Sequence, residues 1–304
     1  MAILDGRGAV GKAMTPARPE PGLRLVRAPN PSPLTAEGTN TWILGEGRVA
    51  VIDPGPALPH HMEAILAALS AGERVSHILV THAHLDHSAL APALASETGA
   101  PVLAFGIATD GMRPAMARLA PSLGPTGEGA DTAFRPDRRL ADGERVQGEG
   151  WALEAIHTPG HMSNHLCLAW EDRLFSGDHV MGWSTTVVIA PDGDMGAYMN
   201  SLGRLATRPW QRMYPGHGDA VETPEARLAE LTAHRRARES QILSTLHSGP
   251  ATAAEVARAI YTDLAPALLP AAEQNVLAHL IDLEERKMAA AIGPLCRSAR
   301  FTLG

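Results

Sequence analysis

Within the run THAHLDH at residues 81–87, three imidazoles and one carboxylate fall close enough together to share a cation. His82 and His84 are two apart at the expected end of a strand, so their side chains point the same way. Asp86 and His87 lie where the next helix begins and fold back toward the same point. Such a set suits zinc, and iron or manganese as well. Asp86 has an alternative role as a helix N-cap, and lone histidines are more often satisfied core groups. The rest of the chain weighs against that. His161 in HTPGHMSNH, Asp178 in LFSGDH and His217 in YPGHGD each stand at the end of an expected strand, before a glycine or polar turn, where sites assemble. Together they make seven ligands: His82, His84 and His161 for one metal, Asp86, His87 and His217 for the other. Asp178 has two oxygens and can bridge.

Positioning these residues requires strands that end at one edge. Short apolar runs predict strands at LRLVRA from Leu23, TWILG at 41–45, RVAVID at 48–53, SHILV, VLAF at 102–105, WALEAIH, HLCLAW, RLFSG and QRMY. Helices are expected over about 59–70, from the THAHLDH run to near Thr98, and over about 194–207. Residues 106–136, dense in Gly, Pro and Met, read as a long loop or a short helical excursion near a site, and 180–192 has no clear pattern. Strands alternating with helices imply an α/β layered fold. After Thr223 the chain turns almost purely helical, with three amphipathic stretches followed by GPLCRSARFTLG, a candidate hairpin. Three helices closed by a β-wing resemble a winged helix. The expected organisation is a flexible leader over 1–21, an α/β domain carrying the ligand set over 22–223 and a small helical domain over 224–304.

Composition narrows the function classes. At 304 residues the chain exceeds what one compact core usually supports, consistent with two domains. Hydrophobic residues at 45% and charged residues at 19% exclude a wholly disordered or fibrous protein. A formal charge of -7 argues against coating nucleic acid. Cys167 and Cys296 are the only cysteines, too few for a disulfide framework, and fit a reducing cytoplasm. Asp5 and Arg7 interrupt the opening where a signal peptide needs apolar residues, and no run of about 18 apolar residues occurs. A soluble, cytoplasmic protein is expected. Lys12 and Lys287 are the only lysines, and the arginine- and alanine-rich remainder suggests a GC-rich bacterial genome.

The order HxHxDH, TPGH, SGD, PGHG resembles the metallo-β-lactamase superfamily over about residues 22–222. The resemblance implies an αβ/βα sandwich with a dinuclear site at one edge. VIDPG at 51–55 matches too, and the family's aspartate there orients a ligand histidine, which points to Asp53. The bridging position is Asp178, whereas zinc β-lactamases have Cys or Ser near there, so β-lactam turnover is expected to be at most promiscuous. Only 39 positions separate Asp178 from His217, too few for the insert of mRNA-processing nucleases. No tyrosine follows Asp178 closely, as it does in homoserine-lactone hydrolases. SGDHVMGWSTTVV, DMGAYMNSL, YPGHG and the HRRAR helix are most similar to the lactamase-β-like branch, which carries a C-terminal winged helix. Its mammalian member cuts single-stranded RNA. Glyoxalase II, a thioesterase, shares the metal residues but has a differently built helical tail.

The resemblance therefore implies a hydrolase with two zinc ions per chain, iron or manganese being alternatives. Metals about 3.5–4 Å apart hold a bridging hydroxide that attacks a carbonyl or phosphoryl centre. Asp86 is also the candidate catalytic residue, orienting the nucleophile and relaying a proton. The leading substrate class is single-stranded RNA, with thioesters, esters or lactones as the alternative. Further alternatives are a mononuclear iron thiol dioxygenase and a metal-stabilised nucleic-acid-binding regulator. Residues 224–304 are near charge balance, so duplex DNA is not expected as a partner, nor is a membrane. A homodimer is the default for a chain with an added helical module. His60, His61, His234, His247 and His279 read as solvated helix residues, and the run His234 to Arg238 as a solvated face. His157 and His165 are candidate supports for the His161 loop, and His179 packs or faces the cleft.

Overall fold

A computed structural model describes residues 16–124 and 129–304. Seven strands form the first sheet in chain order: β1 (Ala17–Glu20), β2 (Leu23–Arg27), β3 (Asn40–Leu44), β4 (Arg48–Ile52), β5 (Arg74–Leu79), β6 (Val102–Ala104) and β7 (Arg138–Arg139). The second sheet contains β8 (Arg145–Gln147), β9 (Ala152–His157), β10 (Leu166–Trp170), β11 (Arg173–Gly177) and β12 (Arg212–Pro215), in the order β12-β11-β10-β9-β8. Alternation decides which face each residue buries. On β4, Ala50 and Ile52 pack toward the second sheet beside Leu168 and Phe175, while Val49 and Val51 pack outward. The same period places Leu166 and Leu168 of β10 inward and Cys167 and Ala169 outward.

Helices cover both outer faces. On the first sheet these are α1 (Pro59–Ala67), the short α2 (Leu85–Ser88) and α3 (Ala91–Thr98), with Ile65 and Leu94 in the outer core. Beyond them comes α4 (Pro114–Leu123). On the second sheet α5 (Met195–Leu205) and the first half of α6 (Pro224–His247) supply Tyr198, Leu202, Leu228 and Leu231. The result is the αβ/βα sandwich.

The pairs β4–β5, β5–β6 and β11–β12 are parallel, so their carboxyl ends lie at one edge, where α/β folds bind ligands. Two backbone bonds join the sheets there: Leu166 N–H to the Thr81 carbonyl and Asn40 N–H to the Gly216 carbonyl, each 2.7 Å.

The C-terminal module adds α7 (Ala253–Ile260), α8 (Leu269–Glu285) and a small sheet of β13 (Ala251–Thr252), β14 (Ala289–Ile292) and β15 (Arg300–Leu303), ordered β13-β15-β14. Thr252 and Glu255 form a reciprocal capping box that starts α7. The second half of α6 contributes Ile242 and Leu246 to this core, beside Val256, Val276 and Phe301.

Several expectations need correction. Residues 17–20 of the expected leader are β1, paired with β2, and residues 1–15 lie outside the described residues. The 106–136 stretch holds the expected short helical excursion as α4, and its Met116 packs into the C-terminal module's core; residues 125–128 of it also lie outside the described residues. β5 ends at Leu79, so His82 and His84 stand on the turn beyond the strand. His61 and His279 are buried, at 1% and 2% exposure, because each sits on the inner face of its helix. His60 and His247 are exposed. No helix among the described residues is long and apolar enough to cross a membrane.

Gly160, immediately before His161, adopts φ +155°, and a Cβ there would lie 2.5 Å from the Tyr198 Cα on α5. Gly160→Ala must therefore push the His161 turn off α5. It is expected to cost about 1–3 kcal/mol in urea unfolding.

Candidate metal centre

Each candidate ligand follows the carboxyl end of a strand. The β5–α2 turn carries His82, His84, Asp86 and His87. His161 lies between β9 and β10, Asp178 follows β11, and His217 follows β12. The structure brings all of them together. Three groups have ligand atoms within 4.8 Å of one another: His82, His84 and His161; His82, His87 and Asp178; and Asp86, His87 and His217. His84 Nδ1 lies 3.0 Å from both His82 Nε2 and His161 Nε2. His217 Nε2 lies 3.3 Å from His87 Nε2, 3.2 Å from Asp86 Oδ2 and 3.3 Å from Asp178 Oδ2. Asp178 reaches the other set through Oδ2, 3.7 Å from His161 Nε2.

The outer nitrogens fix which way the rings present their lone pairs. His87 Nδ1 meets Asp53 Oδ2 at 2.9 Å, His161 Nδ1 meets the Val187 carbonyl at 2.7 Å, and His217 Nδ1 meets the Gly38 carbonyl at 3.2 Å. These acceptors hold a proton on Nδ1, so Nε2 faces the cluster and is the atom that a metal would take. His82 Nδ1 similarly faces the Thr81 hydroxyl at 3.0 Å. One ring nitrogen cannot serve two others as a normal hydrogen-bond partner, yet His84 Nδ1 faces two. Asp178 Oδ1 is buried without a hydrogen-bond partner. Four ligands at 2.0–2.1 Å in a tetrahedron lie about 3.3 Å apart, close to the separations found here. The donors fit divalent metal.

Residues 34–217 match the family model of the metallo-beta-lactamase superfamily, and residues 252–293 match that of the beta-lactamase associated winged helix domain. The chain belongs to the metallo-beta-lactamase superfamily. That puts it among the superfamily's metal-dependent hydrolases. It is 34% identical to the beta-lactamase-like protein 2 homolog of Drosophila melanogaster over 84% of this chain and 85% of that one. It is 31% identical to an atrochrysone carboxyl ACP thioesterase of Aspergillus fumigatus, over 86% of this chain and 81% of the relative. It spans 63% of the length of a lactamase-like protein of Pestalotiopsis microspora that it also matches. Among solved structures, a metallo-beta-lactamase family protein from Thermus thermophilus superposes with a TM-score of 0.75 at 26% identity, over 94% of this chain and 99% of that one.

Several supporting groups carried no clear sequence signal. Thr39 Oγ1 donates to Asp86 Oδ2 at 3.2 Å. Asp131, in the 106–136 stretch, accepts the Ser88 hydroxyl at 2.8 Å, and Gly129 and Asp131 bond the backbone on either side of His84. Of the neighbouring histidines, His165 packs beside the His82 ring at 5.2 Å. His157 stacks on Phe105 and bonds the Ser163 carbonyl, supporting the His161 loop from below. His179 is buried against Tyr198. The basic run does not line the site: Arg235 is buried over Tyr198 and Arg238 lies over Tyr261. The cavity of about 430 Å³ bordered by Gly45, Trp151 and Trp170 lies at the opposite end of β4 and touches none of these groups.

The superfamily site is electrostatically lopsided. Burial holds His82 well below its ordinary range, lowers His84 to about 3 and lowers His161, so these rings are neutral and ready to ligate. Burial also opposes charge on His87 and His217, but the carboxylates outweigh it. Asp86, Asp178 and Asp53 raise His87 well above its usual value, and Asp178 with Asp86 raises His217 to about 9. Asp86 and Asp178 in turn lie well below the carboxylate range, because His87 and His217 overcome their desolvation.

Two outcomes are expected. A metal entering this site displaces protons from His87 and His217, so apparent affinity rises between pH 7 and about 9. Calorimetry at pH 7 in buffers of different ionisation heat will detect the release; affinity independent of pH would contradict it. Asp53→Asn keeps an acceptor for Thr81 but loses the charge opposite His87. Metal binding, measured against a chromophoric chelator, is expected to weaken 10- to 100-fold, roughly the effect of removing such a support.

Proposed function

We propose that this chain is a hydrolase with a dinuclear centre, loaded with zinc, that cleaves thioesters or esters bearing an apolar acyl group. The carrying observation is the rim of the site. Five large hydrophobic side chains stand exposed among the described residues, and three of these belong to segments that serve the centre: Leu34 and Trp183 on loops and Leu85 at the start of α2. Leu85 follows His84. Trp183 lies against Gly218, next to His217, where an added Cβ would be 2.4 Å from its ring. Leu34 belongs to the loop whose Gly38 carbonyl accepts His217 Nδ1.

The arginines beside this rim are already engaged. Arg27 pairs with Glu37 and Asp219, and Arg227 bonds Glu230 and the carbonyls of Met181 and Ser184. A polyanion needs free cations, whereas an acyl chain needs apolar surface. The kinship with a relative named as an ACP thioesterase supports the same reading.

His82, His84 and His161 would hold one metal, Asp86, His87 and His217 the second, and Asp178 both. Bound there, the metals would supply an activated water and polarise the substrate carbonyl. Asp53 and the Val187 and Gly38 carbonyls hold the rings in place while the carbon–sulfur or carbon–oxygen bond breaks. Asp86 is the more exposed of the two carboxylate ligands, at 28% against 10% for Asp178. Its Oδ2 is held by Thr39 and His217, which leaves Oδ1 to take a proton from the attacking water and pass it to the departing thiolate or alkoxide.

The test is turnover of a series of acyl thioesters and of labelled single-stranded RNA by one metal-loaded preparation. kcat/KM is expected to rise with acyl length, by about fourfold per methylene until the rim is covered. Trp183→Ala should flatten that rise. RNA cleavage without thioester turnover would replace this reading with the nuclease one.

A further inference from the structure

The connection from β11 to α5, residues 178–194, carries Asp178 and has no helix or strand of its own. It nevertheless supplies the acceptor that orients His161, the Val187 carbonyl, at 2.7 Å from Nδ1. Something outside the loop must hold that carbonyl. The C=O of Val187 and the N–H of Val188 belong to one planar peptide unit and point in opposite directions. The Val188 N–H donates to Asn275 Oδ1 at 3.2 Å, and Asn275 lies on α8, in the C-terminal module, 8% exposed. An acceptor on one side of a rigid plane therefore aims the acceptor on the other side at the histidine.

The preceding peptide is held from α6, the helix that joins the sandwich to that module. Arg235 of α6, 1% exposed, donates to the Thr186 carbonyl, and the Thr186 hydroxyl donates to the Asp178 carbonyl at 2.7 Å. Arg227 bonds the Met181 carbonyl at 2.7 Å and the Ser184 carbonyl at 2.6 Å. A carbonyl in an irregular loop, fixed on both sides by buried side chains of α6 and α8, is a built support.

The geometry points to Asn275 as a positioning residue for the three-histidine set: through the Val187–Val188 peptide it holds His161 Nε2 toward His82 and His84. The inference rests on the metal-centre reading above. It gives the winged-helix module a part in assembling one half of that centre. His87 and His217 take their supports from Asp53 and Gly38, within the sandwich, so the other half is independent of Asn275.

The experiment is stepwise Co²⁺ titration of the metal-free full chain, followed by visible absorption. His161→Ala identifies which binding step belongs to the three-histidine set. Asn275→Leu keeps the side chain's size but removes its acceptor. It should weaken that step roughly 10- to 100-fold and change the other by less than about twofold. Asn275→Asp restores an acceptor and should recover the lost affinity. Should Asn275→Leu fail to fold, Asn275→Ala is read in the same way. Equal weakening of both steps, no weakening, or no recovery with aspartate would overturn the inference. Failure of the unmodified protein to bind Co²⁺ would instead overturn the metal-centre reading on which it stands.

Discussion

Asp53 sits at the end of β4 in the left-handed backbone region, at φ +50°, which aspartate tolerates better than most non-glycine residues. From there its carboxylate accepts the Thr81 N–H at 2.7 Å, the Thr81 hydroxyl at 2.8 Å and His87 Nδ1 at 2.9 Å. The Thr81 hydroxyl then accepts from His82 Nδ1. One carboxylate thus directs a ligand in each half of the centre, His87 directly and His82 through a threonine. The group is 2% exposed, and any other path for the 81–87 turn would leave it buried and unpaired. Leaving a charged group in that state costs several kcal/mol. The parallel pairing of β4 with β5 puts donor and acceptor side by side, so sheet topology sets the chemistry.

Charge balance explains how so polar a cluster survives burial. With no cation bound, Asp86 and Asp178 are ionised and face protonated His87 and His217. Asp53 adds a third carboxylate against His87, so the two imidazolium charges offset most of the negative charge that folding buries there. The three-histidine half solves the problem differently, by keeping its rings neutral. The two halves are therefore not equivalent. One is held together by ion pairs within the sandwich, the other by neutral rings, a threonine hydroxyl and one backbone acceptor in a loop.

The cluster was readable in the sequence because most of its members share contiguous motifs, and motif order fixed the family and layered fold. The supports were harder to see. Thr39, Asp131 and Asn275 reach the site from loops and helices distant in sequence, and no local pattern marks them. Periodicity also misjudged polar residues on helices. His61, Arg235 and His279 have the types usually left in water, yet each occupies a helix face pressed against another layer. A helical wheel shows which residues share a face, but tertiary packing decides whether a second face is covered too. The β1 strand was hidden for a related reason: ARPE has no apolar alternation, and only pairing with β2 makes it a strand.

The same packing bears on where one module ends and the next begins. Composition changes near Thr223, but α6 serves both sides of that point. Its Leu228 and Leu231 cover the second sheet, while Ile242 and Leu246 build the helical core. Arg227 and Arg235 face the loop that carries Asp178. Cutting before Pro224 would strip apolar cover from the sandwich and remove three side chains that hold residues 181–188. The basic run expected as a solvated face is thus partly turned inward. Arg235 serves a carbonyl and a tyrosine ring, and Arg238 another tyrosine. Arginine packs in this way because its planar, weakly hydrated head stacks on aromatic faces while still donating at its edges. The winged-helix module is accordingly built as much to brace the metal loop as to present a surface of its own.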